Sequence, residues 1–214
     1  MARYSINKPD IFVISDSDSV LTGGNQEWYG KLWQRRAGCG PTVASMLVWY
    51  LSRTRNDCEA LAGGNAAEKA GFIELMNDMW GYVTPGYRGV NAPGMMRRGL
   101  SRYASDRGVT LGFHMLDIGL NSSGCSAEDL AEFTLDAMKR DRPIAFLNLS
   151  NGQEKSLDRW HWVTIVAFDP DTGMAEIYDN GESRNINLLL WRSTTSLGGG
   201  LVTADSNINN SISV

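Results

Sequence analysis

Residues 37–51 read Ala37-Gly38-Cys39-Gly40-Pro41-Thr42-Val43-Ala44-Ser45-Met46-Leu47-Val48-Trp49-Tyr50-Leu51. The proline suits the first turn of a helix, where its missing N–H would have no intrahelical partner. Nearly every residue from position 43 to position 51 is apolar, which predicts a helix buried on most sides. The stretch therefore places a cysteine at the amino end of a buried helix.

This position makes Cys39 a candidate nucleophile. Unpaired N–H groups and the positive end of the helix dipole favour a thiolate, and the same N–H groups can donate to an oxyanion during acyl transfer. Gly38 and Gly40 are expected to let the backbone turn sharply and to leave room for a substrate. A small buried apolar residue is the commoner use of an unpaired cysteine, but it does not account for a Gly-Cys-Gly-Pro turn.

Length and charge narrow the class of protein. The 214 residues suffice for one domain with a substantial interior. A net charge of −4 gives no electrostatic basis for binding nucleic acid or an anionic membrane surface. The chain lacks both the roughly 20 apolar residues of a membrane span and the apolar core of a secretory signal. We therefore expect a soluble, cytoplasmic protein, or a secreted one if a signal peptide has been removed.

The three cysteines, Cys39, Cys58 and Cys125, are irregularly spaced. This spacing fits neither a disulfide framework nor the close pairs of a zinc site. A low, odd count is typical of a reducing compartment, with a Cys58–Cys125 disulfide as the alternative. Residues 169–173 suggest a calcium loop, but too few ligands follow, and a hairpin turn is favoured. We expect neither a metal nor a cofactor.

Helical and strand patterns are separated along the chain. Further helices are predicted over residues 66–79, 95–105 and 127–140, and strands over 11–14 and 109–115. From residue 143 the pattern changes, and strands are predicted over 143–149, 162–168, 174–178 and 185–190, with 198–204 as an edge strand. This order indicates a single α+β domain with a mainly helical lobe (1–142), an antiparallel β lobe (143–204) and a polar tail (205–214).

A nucleophilic cysteine needs a base, and the chain has only two histidines. His114 lies inside a predicted strand, where a structural role is favoured. His161 begins a strand after a polar loop and stands between two tryptophans, where a cleft residue would be placed. A lone histidine is more often structural than catalytic, but beside Cys39 the base is predicted to be His161.

Asp179 is the candidate that orients this base. It ends the strand antiparallel to the one that His161 begins, so the two can be cross-strand neighbours. A carboxylate there could fix the imidazole tautomer and stabilise the imidazolium. Asn180 is a substitute, and plain turn chemistry of Asp-Asn-Gly is the alternative. Gln34, shortly before Cys39, can donate an amide N–H to an oxyanion; a polar surface residue is the alternative.

These residues together resemble the papain-like cysteine peptidases. The likeness rests on Gln34, on Gly38-Cys39-Gly40-Pro41-Thr42 with Met46, on His161-Trp162-Val163-Thr164-Ile165-Val166 and on Ile177-Tyr178-Asp179. It is nearest to the branch of the bacteriocin-processing, double-glycine-cleaving peptidases. The resemblance implies a papain-like fold, in which the cysteine helix packs on the antiparallel sheet. It also implies Cys39 as nucleophile, His161 as general acid/base, Asp179 as orienting residue and Gln34 as oxyanion donor.

The sequence departs from this family in two places. One residue fewer than usual separates Gln34 from Cys39, and Asn180 stands where the family often has proline. The transporter segments that accompany bacteriocin-processing members are absent, so a double-glycine substrate does not follow.

We therefore expect a cysteine peptidase or amidohydrolase that cleaves a peptide or protein substrate through a thioester acyl-enzyme. The alternatives are an acyltransferase and a catalytically silent peptide- or protein-binding module of the same fold. Substrate contacts are predicted for Gly38 and for an apolar subsite of Trp33, Trp160 and Trp162, with aromatic core packing as the alternative. Residues 150–160 could form a lid. The sequence does not indicate the oligomeric state.

Overall fold

A computed structural model describes residues 2–16, 19–63 and 65–206. Most of the predicted polar tail, residues 207–214, lies outside the described residues. Among the described residues, none of the helices has both the length and the apolar character that crossing a bilayer requires.

The described residues form six α-helices, of which the second to the fifth were predicted from the sequence. They are α1 (Leu32–Ala37), α2 (Cys39–Thr54), α3 (Lys69–Trp80), α4 (Pro93–Ser105), α5 (Ala127–Lys139) and α6 (Leu188–Thr194). A capping box fixes the start of α5, because Ser126 Oγ accepts from the Asp129 N–H and the Asp129 carboxylate accepts from the Ser126 N–H.

The strands form one large antiparallel sheet and a separate hairpin. They are β1 (Tyr4–Ser5), β2 (Val13–Asp16), β3 (Ser19–Thr22), β4 (Gly112–Ile118), β5 (Ile144–Asn148), β6 (His161–Asp169), β7 (Met174–Asp179), β8 (Glu182–Asn187) and β9 (Gly199–Asp205). The sheet order is β4-β9-β5-β6-β7-β8, β1 pairs with the far end of β6, and β2 pairs with β3. The predicted α+β class is confirmed.

The last part of the chain differs from the prediction in two places. The strand predicted over 185–190 ends at Asn187, whose side chain accepts from the Leu190 N–H and so caps α6. An apolar run fits a helix or a strand equally well, and here the cap decides for the helix. The predicted edge strand is β9, which lies inside the sheet between β4 and β5.

Two shorter predictions are shifted along the chain. The strand expected at 11–14 begins as the 3₁₀ turn Pro9–Phe12 and becomes β2 only at Val13. The strand expected at 109–115 is β4, three residues later, and it belongs to the main sheet. The helical part of the chain therefore contributes two strands, β1 and β4, to the sheet of the β part.

Helix α2 is the centre of the packing. All of its residues from Gly40 to Ser52 are buried, which confirms the prediction of a helix enclosed on most sides. It packs against β5 and β6 of the sheet and against α3. The burial of this helix fixes the position of its first residue, Cys39, relative to the start of β6.

Candidate active site

Close packing, rather than a special backbone conformation, explains the two glycines beside Cys39. The chain turns from α1 into α2 at Gly38, and neither glycine has a positive φ. A Cβ at Gly38 would collide with the ring of Tyr29 and the carbonyl oxygen of Gln34, and one at Gly40 would lie 2.8 Å from a Val90 methyl carbon. The glycines therefore let Cys39 sit between two close neighbours.

Cys39 is the first residue of α2. The first backbone hydrogen bond of this helix runs from the Thr42 N–H to the Gly38 carbonyl, at 2.9 Å. The N–H groups of Cys39 and Gly40 thus precede the helical ladder, at the positive end of the helix dipole.

The sheet brings His161 and Asp179 together. Thr164 pairs with Tyr178 across β6 and β7, and continuing that register makes Asp179 the diagonal neighbour of His161 on one face. His161 Nε2 lies 2.7 Å from Asp179 Oδ1, and both residues are buried. Cys39 lines the same small cavity as His161, and its thiol acts on the imidazole. Because Nε2 is bound to Asp179, Nδ1 is the nitrogen left for the sulfur.

The electrostatic balance favours a charged imidazole. Burial alone would lower the pKa of His161, because it disfavours the cation. The hydrogen bonds and charges of Asp179 and Cys39 outweigh burial and raise the pKa of His161 from 6.5 to about 10. The residue is therefore an imidazolium at neutral pH, as a thiolate–imidazolium pair requires.

Asp179, rather than Asn180, contacts the histidine. Asn180 and Gly181 both have positive φ, of 51° and 85°, and form the tight turn between β7 and β8. The Asn180 carbonyl accepts from the side chain of Asn25, so its backbone is fixed in that turn. The Asp-Asn-Gly segment thus supplies both the turn and the carboxylate.

Arg184 is a further member of the site that the sequence did not single out. It donates from Nη2 to Asp179 Oδ2, so the carboxylate lies between the imidazole and a guanidinium. Its Nη1 donates to the Ser156 carbonyl, 3.3 Å away in the loop that leads to His161. The sequence did contain a signal for this role. Glu182 pairs with Asp179 across β7 and β8, and the alternation of side chains along β8 places Arg184 on the same face as Glu182.

The same groups argue against a metal ion here. Asp158, His161 and Asp179 each place one ligand atom within 4.8 Å of the others. However, the Asp179 carboxylate already binds both the imidazole and the Arg184 cation. The arrangement therefore favours an ion pair over a divalent cation.

Gln26 is a second residue that the sequence did not single out. It lines a small cavity together with Cys39, His161 and Asp179. Its Oε1 is buried without a hydrogen-bond partner among the described residues, and none of them accepts from its Nε2, so the amide N–H can donate to a further group in the cavity. Gln34 is half-buried in α1 and is not among the described residues that line this cavity. The signal for Gln26 in the sequence was its position directly after the Gly23-Gly24-Asn25 turn.

Cys39 also lines a second, larger cleft. Its volume is about 480 Å³, within the usual range for ligand pockets. It is lined by Trp33, Arg36, Ala37, Cys39, Tyr87, Arg88, Gly89, Val90, Leu147, Leu149 and Trp160. Of the predicted substrate contacts, Trp33 and Trp160 line the cleft with half-exposed indoles. Gly38 and Trp162 are buried, and the Trp162 indole donates to the Val90 carbonyl beneath the cleft.

The remaining candidates lie elsewhere. His114 is exposed in β4, opposite Thr203 of β9. Cys58 and Cys125 are buried free thiols, so the alternative of a Cys58–Cys125 disulfide is wrong. Residues 169–173 form the β6–β7 hairpin turn that was favoured over a calcium loop, with the Gly173 N–H donating to the Asp169 carbonyl at 2.9 Å.

No protein-family model matches the sequence, and no curated protein is significantly similar to it. The fold and the site contacts define the class of protein: it is an α+β protein in which Cys39, His161 and Asp179 line one cavity and Cys39 also lines an open cleft.

Proposed function

We propose that the protein is a cysteine peptidase or amidohydrolase with a papain-like arrangement of its helix and sheet. The observation that carries the proposal is one imidazole between a carboxylate and a thiol at a helix N-terminus. Such a grouping supplies nucleophile, acid/base and orienting residue in one place. The packing of α2 on the antiparallel sheet supports the same architecture.

In the proposed reaction the Cys39 thiolate attacks the carbonyl carbon of an amide or peptide bond. The carbonyl π electrons move to oxygen. The resulting oxyanion accepts hydrogen bonds from backbone N–H groups at the start of α2 and from the amide N–H of Gln26. The His161 imidazolium then gives its Nδ1 proton to the leaving nitrogen as the C–N bond breaks. The products of this half-reaction are a free amine and a thioester.

Water completes the cycle. The neutral imidazole takes a proton from water, whose oxygen attacks the thioester carbonyl, and the C–S bond breaks to release a carboxylic acid. Asp179 holds the imidazole in orientation through both half-reactions. Arg184 donates to Asp179 Oδ2 and so holds that carboxylate in place.

The test is hydrolysis of a fluorogenic peptide library by the wild-type protein and by two variants. We expect Cys39→Ala and His161→Ala to lose about 10³-fold or more of the wild-type activity, since each removes a member of one catalytic unit. Cys125→Ser is the matched control, because its thiol is buried outside the site, and it should retain activity.

Two further measurements bear on the same proposal. Hydroxylamine added during turnover should intercept the thioester and yield a hydroxamate product. Equal hydrolysis by the wild-type protein and Cys39→Ala, or release of the leaving group without any hydroxamate, would contradict the proposal. Transfer of the acyl group to an added amine in preference to water would instead identify an acyltransferase.

A further inference from the structure

The cleft beside Cys39 carries two arginines that the fold does not use. Arg36 and Arg88 line it, and neither forms an ion pair or a hydrogen bond with any described residue. The neighbouring Arg35 shows the contrast, because its guanidinium donates to the Tyr29 carbonyl at 3.0 Å and lies near Glu27. The cleft therefore has one unpaired cation on α1, Arg36, and one in the segment that contains Arg88.

The charge of the cleft is opposite to that of the molecule. None of the described residues that line it is acidic, whereas the chain as a whole has a net charge of −4. Two guanidinium groups without a neighbouring carboxylate in the lining attract an acidic group to this cleft.

The wall that carries Arg88 is rigidly built. Gly86 and Gly89 exchange both backbone hydrogen bonds, at 2.9 and 3.1 Å, so Tyr87 and Arg88 occupy the tip of a two-residue turn. The Trp162 indole donates to the Val90 carbonyl and ties this turn to β6. The tip thus presents an aromatic ring and a guanidinium next to each other.

The opposite wall ends in a strained tryptophan. Trp160 has φ of 56°, the left-handed region, which is unfavourable for a bulky residue and is found where function requires it. Its indole is 44% exposed and lines the cleft directly before His161. Hydrogen bonds from Asn148 to the Asp158 carbonyl and from Arg184 to the Ser156 carbonyl hold this loop. These contacts favour a fixed wall over the lid that the sequence suggested.

We propose that this cleft selects peptide substrates with an acidic side chain next to an aromatic or large apolar side chain, close to the bond that is cleaved. The acidic group binds Arg36 and Arg88, and the apolar group stacks on the indoles of Trp33 and Trp160. This inference rests on the proposed function and names its substrate class.

The chemistry of these groups fits such a ligand. A guanidinium offers a planar fork of N–H donors that matches a carboxylate in two hydrogen bonds. Exposed indoles cover apolar side chains and lose little conformational entropy on binding. Leu147 and Leu149 at the base of the cleft extend the apolar surface.

The test uses positional peptide libraries that carry Asp, Glu, Asn or Gln at each fixed position. We expect kcat/KM for the best Asp or Glu library to exceed that of its amide counterpart about tenfold, which corresponds to one partly exposed charge-assisted hydrogen bond. The preference should shrink as salt is raised, since partly exposed charges are screened. It should disappear in an Arg36→Gln/Arg88→Gln variant and persist in Arg140→Gln, whose arginine lies outside the cleft.

A binding measurement separates the two proposals. The same libraries are incubated with immobilised Cys39→Ala protein, which cannot turn over, and the retained peptides are identified by mass. Retention of acidic peptides that Arg36→Gln/Arg88→Gln abolishes supports the cleft assignment even if no peptide is hydrolysed, in which case the proposed function fails. Hydrolysis without any acid-over-amide preference overturns the cleft assignment and leaves the function standing. If the library is neither hydrolysed nor selectively retained, both proposals are overturned.

Discussion

Arg184 and His161 share one carboxylate: Arg184 Nη2 binds Asp179 Oδ2, and Asp179 Oδ1 lies 2.7 Å from His161 Nε2. The Asp179 side chain is 3% exposed, and each of its two oxygens is bound by one of these partners. The catalytic proposal therefore extends one residue beyond the cysteine, histidine and aspartate, to a cation that positions the carboxylate.

Replacing Arg184 by Gln should lower kcat about tenfold or more, because a charge-assisted hydrogen bond that fixes Asp179 is lost. The Asp179 carboxylate, no longer bound to a guanidinium, would then stabilise the His161 imidazolium more strongly. The alkaline limb of the pH profile of kcat/KM should move to higher pH. Arg184→Lys, which keeps the charge, should restore part of both effects. A loss of stability with unchanged kcat and pH profile would mean that Arg184 is only structural.

The assignment of the oxyanion donor is decided by comparing two glutamines. Gln26 lines the cavity with Cys39, and Gln34 is the residue that the resemblance implies. We expect Gln26→Ala to reduce kcat about 10²-fold, the usual effect of removing one such donor, with little change in KM. Gln34→Ala should have a much smaller effect. The reverse ranking would restore Gln34 to that role.

Thiol labelling should distinguish Cys39 from the other two cysteines. Burial raises the pKa of the Cys58 thiol to about 11 and also raises the pKa of Cys125, whereas Cys39 lies beside an imidazolium and lines the open cleft. Iodoacetamide at pH 6–7 should therefore alkylate Cys39 first. Peptide mapping after short exposure measures the order. His161→Ala should slow the labelling at pH 6, and equal labelling of Cys58 would contradict a privileged thiol.

The pH dependence of stability should reflect the raised pKa of His161. Because the pKa is 6.5 unfolded and about 10 folded, the stabilisation is complete below pH 6.5 and is lost as the pH rises towards 10. Urea unfolding across this range should show a falling free energy of unfolding. Cys39→Ala removes one of the causes of the raised pKa of His161. The free energy of unfolding of this variant should therefore fall over a lower and narrower pH range than that of the wild-type protein. An identical decline in His161→Gln would show that other groups cause it.

The packing of Gly40 against Val90 can be tested by a double-mutant cycle. Gly40→Ala should destabilise the protein by about 1–3 kcal/mol, because its Cβ would lie 2.8 Å from Val90 Cγ2. Val90→Ala should relieve part of this cost, because it removes both methyl carbons but keeps the Val90 Cβ at 2.9 Å, so that the two changes are not additive. Gly30→Ala is the control, since a Cβ there meets no atom within 4 Å. Additive effects would show that the glycine is required for another reason.

The sequence alone determined the elements with strong local signals. The apolar run after Pro41 predicted α2, and the alternation and turns after residue 143 predicted β5, β6 and β7. The scarcity of histidine made His161 the favoured base, and the hairpin brought Asp179 to it. Periodicity, caps and turns act over a few residues, so they can be read from a single chain.

Only the tertiary structure decided which distant groups meet. It placed β9 inside the sheet, joined Arg184 to Asp179, turned the Gln26 amide into the cavity of Cys39 and built the cleft from four separate segments. These contacts depend on strand register and side-chain packing between residues far apart in the chain, for which a single sequence contains no periodic signal.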